Sequence, residues 1–145
     1  MTSATVAIAA DHAGFVLKQM LHEELRRAGA PVLDLGTDSG QSVDYPDFAD
    51  KLAAALKDGR AGRGVLVCGT GIGIAIAANR HRHVRAAVCH DASSARLARQ
   101  HNNANVLALG ARLIGEETAK DCLHIFLNTA FDGGERHRRR VTKMS

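Results

Sequence analysis

Short apolar runs alternate along the chain with stretches in which apolar positions recur every three or four residues. Thr5 to Ala10 (TVAIAA) is the first run, and it stops at Asp11-His12-Ala13-Gly14. Phe15 to Ala28 then places Val16, Leu17, Met20, Leu21 and Leu25 at helical spacing, with Gly29 as the stop, so the pattern predicts a strand and then a helix. Val32 to Leu35 predicts a second strand, and a polar loop from Gly36 to Asp44 leads to Tyr45-Pro46. Beyond it Phe48, Ala49, Leu52, Ala53 and Leu56 mark a helix whose first turn suits Pro46. Gly62 to Val67 reads as a third strand and Ile74 to Asn79 as part of the helix after it. Arg85 to Cys89 with Ala92 to Gln100, and Asn105 to Leu109 with Glu116 to Leu127, complete five strand–helix units. Asp132-Gly133-Gly134 ends the last helix, and 136–145 reads as a basic C-terminal tail.

Regular alternation of this kind predicts a single α/β domain over residues 1–145, a Rossmann-like three-layer sandwich. Its five-stranded parallel sheet would be covered by helices on both faces through right-handed crossovers. Ligands of such sheets bind beyond the carboxyl ends of the strands. Three polar clusters fall at those ends: Asp11-His12, Cys68-Gly69-Thr70 and His90-Asp91.

The stretch around Cys68 stands out. A β-branched run ends in the cysteine, then Gly69, Gly71 and Gly73 alternate into a helix of small residues. Alternate glycines leave successive backbone N–H groups uncovered, which lets a loop close on an anion at a helix N-terminus. A thiol in that position is favoured as thiolate and is usable as base or nucleophile. The competing reading of any cysteine at a strand end is a small buried hydrophobe, to which Cys89 and Cys122 are assigned. The glycine spacing is neither G-x-G-x-x-G nor a P-loop, although Asp91 lies about where a ribose-binding acid would be sought, so a nucleotide-binding module stays open. Asp11-His12 and His101-Asn102 are further candidate polar pairs, while His22, His81, His83 and His124 read as solvated or structural.

Composition narrows the classes. The 145 residues carry 46% hydrophobic and 23% charged residues, ordinary for a globular chain. No apolar run approaches a membrane span, no leader pattern opens the chain, and three cysteines without paired spacing suggest neither a disulfide framework nor a zinc site. A cytoplasmic protein is expected. Arg136, Arg138, Arg139, Arg140 and Lys143 supply more than the whole net charge of +4, so the body is not basic. With aromatics at 3% and no Trp there is no stacking platform, and nucleic acid is not expected as a partner.

Several motifs in collinear order resemble one family. They are Asp11-His12-Ala13-Gly14-Phe15, Gly36-Thr37 with Asp44-Tyr45-Pro46, and Cys68-Gly69-Thr70-Gly71-Ile72-Gly73 with Ala77-Ala78-Asn79. Arg99-Gln100-His101-Asn102, Asn105-Val106-Leu107 with Gly110-Ala111-Arg112, and Gly133-Gly134 with Arg136-His137 and Arg140-Val141 complete the set. Together, from about Val6 to Val141, they resemble ribose-5-phosphate isomerase type B.

The resemblance implies interconversion of an aldose phosphate and its ketose phosphate through an enediolate, without metal or cofactor. It makes Cys68 the base and the N–H groups of Gly69, Gly71 and Gly73 the oxyanion site. His101 would open the furanose ring, Asp11 and Thr70 would handle hydroxyl protons, and Tyr45 and Asn102 would position the sugar. His12, Arg112, Arg136 and Arg140 would hold the phosphate. It also implies a homodimer or homotetramer with active sites shared between subunits. Relatives act on galactose 6-phosphate, allose 6-phosphate or tetrulose phosphates with nearly the same residues. Two departures are visible: Glu135 is inserted before Arg136, and Ile74 stands where one branch of the family has a catalytic glutamate, leaving Cys68 as the candidate base in the loop.

Overall fold

The computed structural model describes residues 4–145, and each apolar run of the sequence forms a strand in it. The strands are β1 Val6–Ala10, β2 Val32–Asp34, β3 Arg63–Cys68, β4 Ala86–Val88 and β5 Val106–Gly110. Between and after them lie α1 Phe15–Arg27, α2 Tyr45–Lys57, α3 Ile72–Ala78, α4 Ala92–Asn102, α5 Glu116–Asn128 and α6 Glu135–Met144. All ladders are parallel and the order is β2-β1-β3-β5-β4. The chain therefore reverses its direction of winding between β1 and β3, the point at which open α/β sheets leave a crevice at their carboxyl edge.

Both faces of the sheet are buried, which is why its strands read as continuous apolar runs rather than alternating ones. Val6, Ile8, Val65, Val67, Leu107 and Leu109 face one way and pack with Leu17, Leu21 and Leu25 of α1 and Leu123 and Phe126 of α5. Ala7, Ala9, Leu66, Val106 and Ala108 face the other way, against Phe48, Leu52 and Ala53 of α2 and Ile74 and Ala78 of α3. The alanines on this second face let α2 and α3 sit close, so the loops feeding those helices crowd the carboxyl ends of β1 and β3.

One element departs from the sequence reading. Residues 136–145 were expected as a tail, and Glu135–Met144 is a helix, α6. It is mostly exposed and anchored by His137, 7% exposed, whose ring stacks on His101 at a centroid distance of 4.6 Å and an interplanar angle of 8°. A helix held by an aromatic contact and otherwise lined with arginine shows almost no apolar period. Among the described residues no helix is long and apolar enough to cross a membrane.

Candidate active site

Loops after β1, β2, β3 and β5 enclose a cavity of about 870 Å³ at the carboxyl edge of the sheet, lined by Asp11, His12, Tyr45, Cys68, Thr70 and Arg112 among others. Each side chain arrives there for a local reason. Asp11 follows β1; it is 6% exposed, and its Oδ1 accepts the Gly14 N–H at 3.1 Å. Its own N–H donates to the Val67 carbonyl at 3.2 Å, tying this turn to the neighbouring strand. His12 Nδ1 accepts the Val43 N–H at 3.2 Å, so in the neutral ring the proton sits on Nε2.

Cys68 ends β3, 5% exposed, and its Sγ accepts the Gly71 N–H at 3.1 Å. That donor fixes the sulfur at the entrance to α3. Gly71 itself has φ +78°, and a Cβ there would stand 2.8 Å from the Leu109 carbonyl carbon, so the turn that delivers the N–H to sulfur requires glycine. Gly73 is needed for another reason: a Cβ would meet the Tyr45 ring at 2.7 Å. The tyrosine lies across the loop instead, 39% exposed, and walls the cavity. Gly69 carries Arg112, whose N–H bonds to the Gly69 carbonyl at 2.9 Å and whose guanidinium lies over the glycine. Ile72 N–H donates to Thr70 Oγ1 at 3.2 Å, a contact that holds the hydroxyl at the cavity rim.

The alternate glycines thus do more than expose amides. Two of them seat a binding side chain each and one makes the turn. Because α3 has only seven residues, the charge at its N-terminus is modest, and individual N–H groups matter more than the helix as a whole.

Within the chain the candidate residues fall into two groups, in keeping with the shared sites that the resemblance implied. His101 and Asn102 end α4, which runs antiparallel to the strands and returns to the amino edge of the sheet only a few residues before β5 begins. Arg136 and Arg140 extend from α6 in the same corner, where the Asp132 N–H bonds to the Gln100 carbonyl at 3.0 Å. The five residues of β5, about 16 Å of rise, separate that edge from the cavity. His101, Asn102, Arg136 and Arg140 do not line the cavity. Within the corner, burial, the neighbouring His101 ring and Arg136 push the His137 imidazole below its ordinary pKa.

Other candidates are disposed of locally. The Asp91 carboxylate caps α4 through the Ser94 N–H at 2.6 Å, which employs the acid that a nucleotide site would have needed. Cys89 and Cys122 are buried, and burial raises both thiols, Cys122 to about 11. His22, His81 and His124 face Asp34, Asp50 and Glu24, and His83 meets the Ala53 carbonyl. Cavity-lining residues outside the motifs of the sequence reading are Ser42, Val43 and Asp47, while Asp44 and Ile72 stood within those motifs without a role. Val43 acts through its backbone, for which no sequence signal exists.

The model of the family described as ribose/galactose isomerase matches residues 6–144. The chain belongs to the ribose/galactose isomerase family. It is a sugar-phosphate isomerase of the aldose–ketose type. It is 45% identical to ribose-5-phosphate isomerase B of Escherichia coli (strain K12), over 94% of this chain and 91% of that one. It is 48% identical to the D-erythrulose-4-phosphate isomerase of Pectobacterium atrosepticum, over 90% of this chain and 86% of that one. Its structure superposes on the ribose 5-phosphate isomerase of Thermotoga maritima with a TM-score of 0.95 at 51% identity, covering 97% of each chain. The carboxyl-edge cavity is where a thiol, a carboxylate and a guanidinium meet in this chain.

Proposed function

We propose that the chain interconverts ribose 5-phosphate and ribulose 5-phosphate through an enediolate, with Cys68 as the base. The supporting observation is the Gly71 N–H held 3.1 Å from Cys68 Sγ at the cavity floor, which keeps the sulfur aimed at a bound sugar. In the forward direction the Cys68 thiolate removes the proton from C2 of the open-chain aldose. The C–H electron pair forms the C1–C2 double bond, and the carbonyl electrons move onto O1. The same sulfur returns the proton to C1 while the O2 proton passes to O1, which leaves a carbonyl at C2 and a hydroxyl at C1, the ketose. Loop amides other than those of Gly71 and Ile72, which serve the Cys68 sulfur and the Thr70 hydroxyl, stabilise the charge on oxygen, and such donors are each worth about 3–4 kcal/mol in the transition state. Asp11 and Thr70 exchange the hydroxyl protons, and Tyr45 flanks the carbon chain.

In this reading His12 and Arg112 hold the phosphate from within the chain. His101, Asn102, Arg136 and Arg140 act on the cavity of a second copy, His101 opening the furanose ring. A homodimer or a homotetramer would satisfy this geometry, and the reaction needs no cofactor. The similarity to a four-carbon sugar-phosphate isomerase makes chain length the point to test.

A panel of four-, five- and six-carbon aldose and ketose phosphates, ranked by kcat/KM, is the deciding experiment. Ribose 5-phosphate is expected to lead. A higher value for an erythrulose, allose or galactose phosphate would replace the substrate and leave the enediolate chemistry standing.

A further inference from the structure

Three arginines crowd the amino edge of the sheet on the face covered by α1, α4 and α5. Arg63 opens β3, Arg85 directly precedes β4, and Arg99 comes up from α4. Arg99 is 2% exposed and spends its donors on carbonyl and amide oxygens: Thr129 at 3.0 Å, Ala104 at 2.7 Å and Asn103 Oδ1 at 2.9 Å. Arg85 gives Nε to the Asn103 carbonyl at 3.1 Å. Arg63 has nothing comparable. Its Nε is buried and is the one buried side-chain polar atom without a hydrogen-bond partner among the described residues. Among the described residues none of the three is ion-paired with an Asp or Glu.

The electrostatics agree with the geometry. Burial depresses all three guanidinium groups, and mutual repulsion depresses Arg63 and Arg99 further, bringing Arg99 to about 10. Gathering like charges around a buried unpaired donor is unfavourable unless something negative joins them. Arg63 also lines a cavity of about 370 Å³ with Leu25, Ala30, Leu127, His124 and Asn128. The nearby Glu24 carboxylate does not serve, because it is taken by His124 at 2.9 Å and Lys120 at 4.0 Å.

We propose that this edge is a second anion site, distinct from the isomerase cavity, which takes a small phosphate-class oxyanion on the accessible end of the Arg63 guanidinium, where it lines the cavity. Planar guanidinium forks suit the several oxygens of such an anion, and the cavity admits a small molecule rather than a folded partner. The inference does not depend on which sugar phosphate the enzyme isomerises.

Thermal unfolding of the full chain tests it, with wild type, Arg63→Met and Arg63→Lys compared in phosphate-free buffer and across a series of inorganic phosphate. Without phosphate, Arg63→Met should melt at or above wild type, since a half-buried charge without an ion-pair partner has been replaced by an apolar chain of similar length. At saturating phosphate, wild type should gain about 3–6 °C more than Arg63→Met, with Arg63→Lys between them. Phosphate bound at the isomerase cavity shifts wild type and variants alike and cancels in that difference. Isomerase kcat and KM should be unchanged in both variants.

Equal phosphate-induced shifts in wild type and Arg63→Met would overturn the proposal. So would an equal loss of melting temperature in both buffers, which marks Arg63 as a structural clamp. A melting temperature that rises with protein concentration without phosphate, and stops doing so in Arg63→Met, would put a second copy's carboxylate there and overturn it too.

Discussion

The carboxyl edge of the sheet and the corner between α4 and α6 carry similar chemistry but hold it differently. At the carboxyl edge three candidate side chains are fixed by backbone: Asp11 by the Gly14 N–H, His12 by the Val43 N–H, Cys68 by the Gly71 N–H. In the corner, His101 rests on one stacked ring, and Arg136 and Arg140 are exposed on α6. The first arrangement brings a thiol, a carboxylate and an imidazole to one cavity, as the proposed base and oxyanion site require. The second is a set of cations and an imidazole with nothing in its own chain to act on. The difference teaches that backbone donors hold one group of candidates and a single ring contact the other, and on the proposed reading the more exposed group acts on the cavity of a second copy.

The largest expected effect tests that reading. Cys68→Ala and His101→Ala should each keep the fold, seen by circular dichroism, and should each lose about 10²–10⁴-fold in kcat on ribose 5-phosphate. Unfolded together and refolded as an equal mixture, they should recover to about a quarter of wild-type activity if copies pair by a twofold axis. Half the pairs would then be hybrids, each with one intact cavity facing one intact His101. A mixture as inactive as its components would show that the corner does not serve a neighbour's cavity.

The same contrast explains what could be read in advance. Five strands and their helices follow from apolar runs buried on both faces, and Asp11, Cys68 and the glycine loop fall at strand ends where the parallel topology puts ligands. The reasons for Gly69 and Gly73 were not legible, because they depend on Arg112 and Tyr45 arriving from distant positions. Helix α6 was missed since its anchor, His137 against His101, is a tertiary contact on a segment dominated by arginine. His101 itself was legible as a motif and illegible as a location: its number says nothing of which edge of the sheet α4 returns to.

A smaller effect is expected from the phosphate-binding cations, one taken from each half. Arg112→Met should raise KM for the sugar phosphate about 10–100-fold with a lesser change in kcat, the loss expected for a hydrogen bond to a charged group. Arg140→Met should do the same by a similar factor if the two guanidinium groups grip one phosphate from opposite chains. Steady-state kinetics of both variants checks this, and a change in kcat alone for Arg140→Met would detach the corner from substrate binding.

The smallest effect concerns how the carboxyl edge is held. Lys18, 1% exposed, bonds both oxygens of Asp34 at 2.8 Å, and Asp34 Oδ1 also accepts the Gly36 N–H at 2.9 Å, anchoring the start of the loop that walls the cavity. Burial would raise the Asp34 carboxyl, but Lys18, the Gly36 N–H and His22 together hold it below the usual carboxylate value. A depressed folded pKa means that this anchor contributes fully above the unfolded value near 4 and is lost as pH falls through the folded one. Asp34→Asn should therefore lower stability by about 2 kcal/mol at neutral pH, chiefly by stranding the buried Lys18 ammonium, and should flatten the acid limb of the stability profile. Hydrogen exchange should quicken at residues 36–44 and stay unchanged in α6, because the anchor belongs to one half only. Equal quickening in both regions would mean that the two halves share a single stability, and the division drawn between them would go with it.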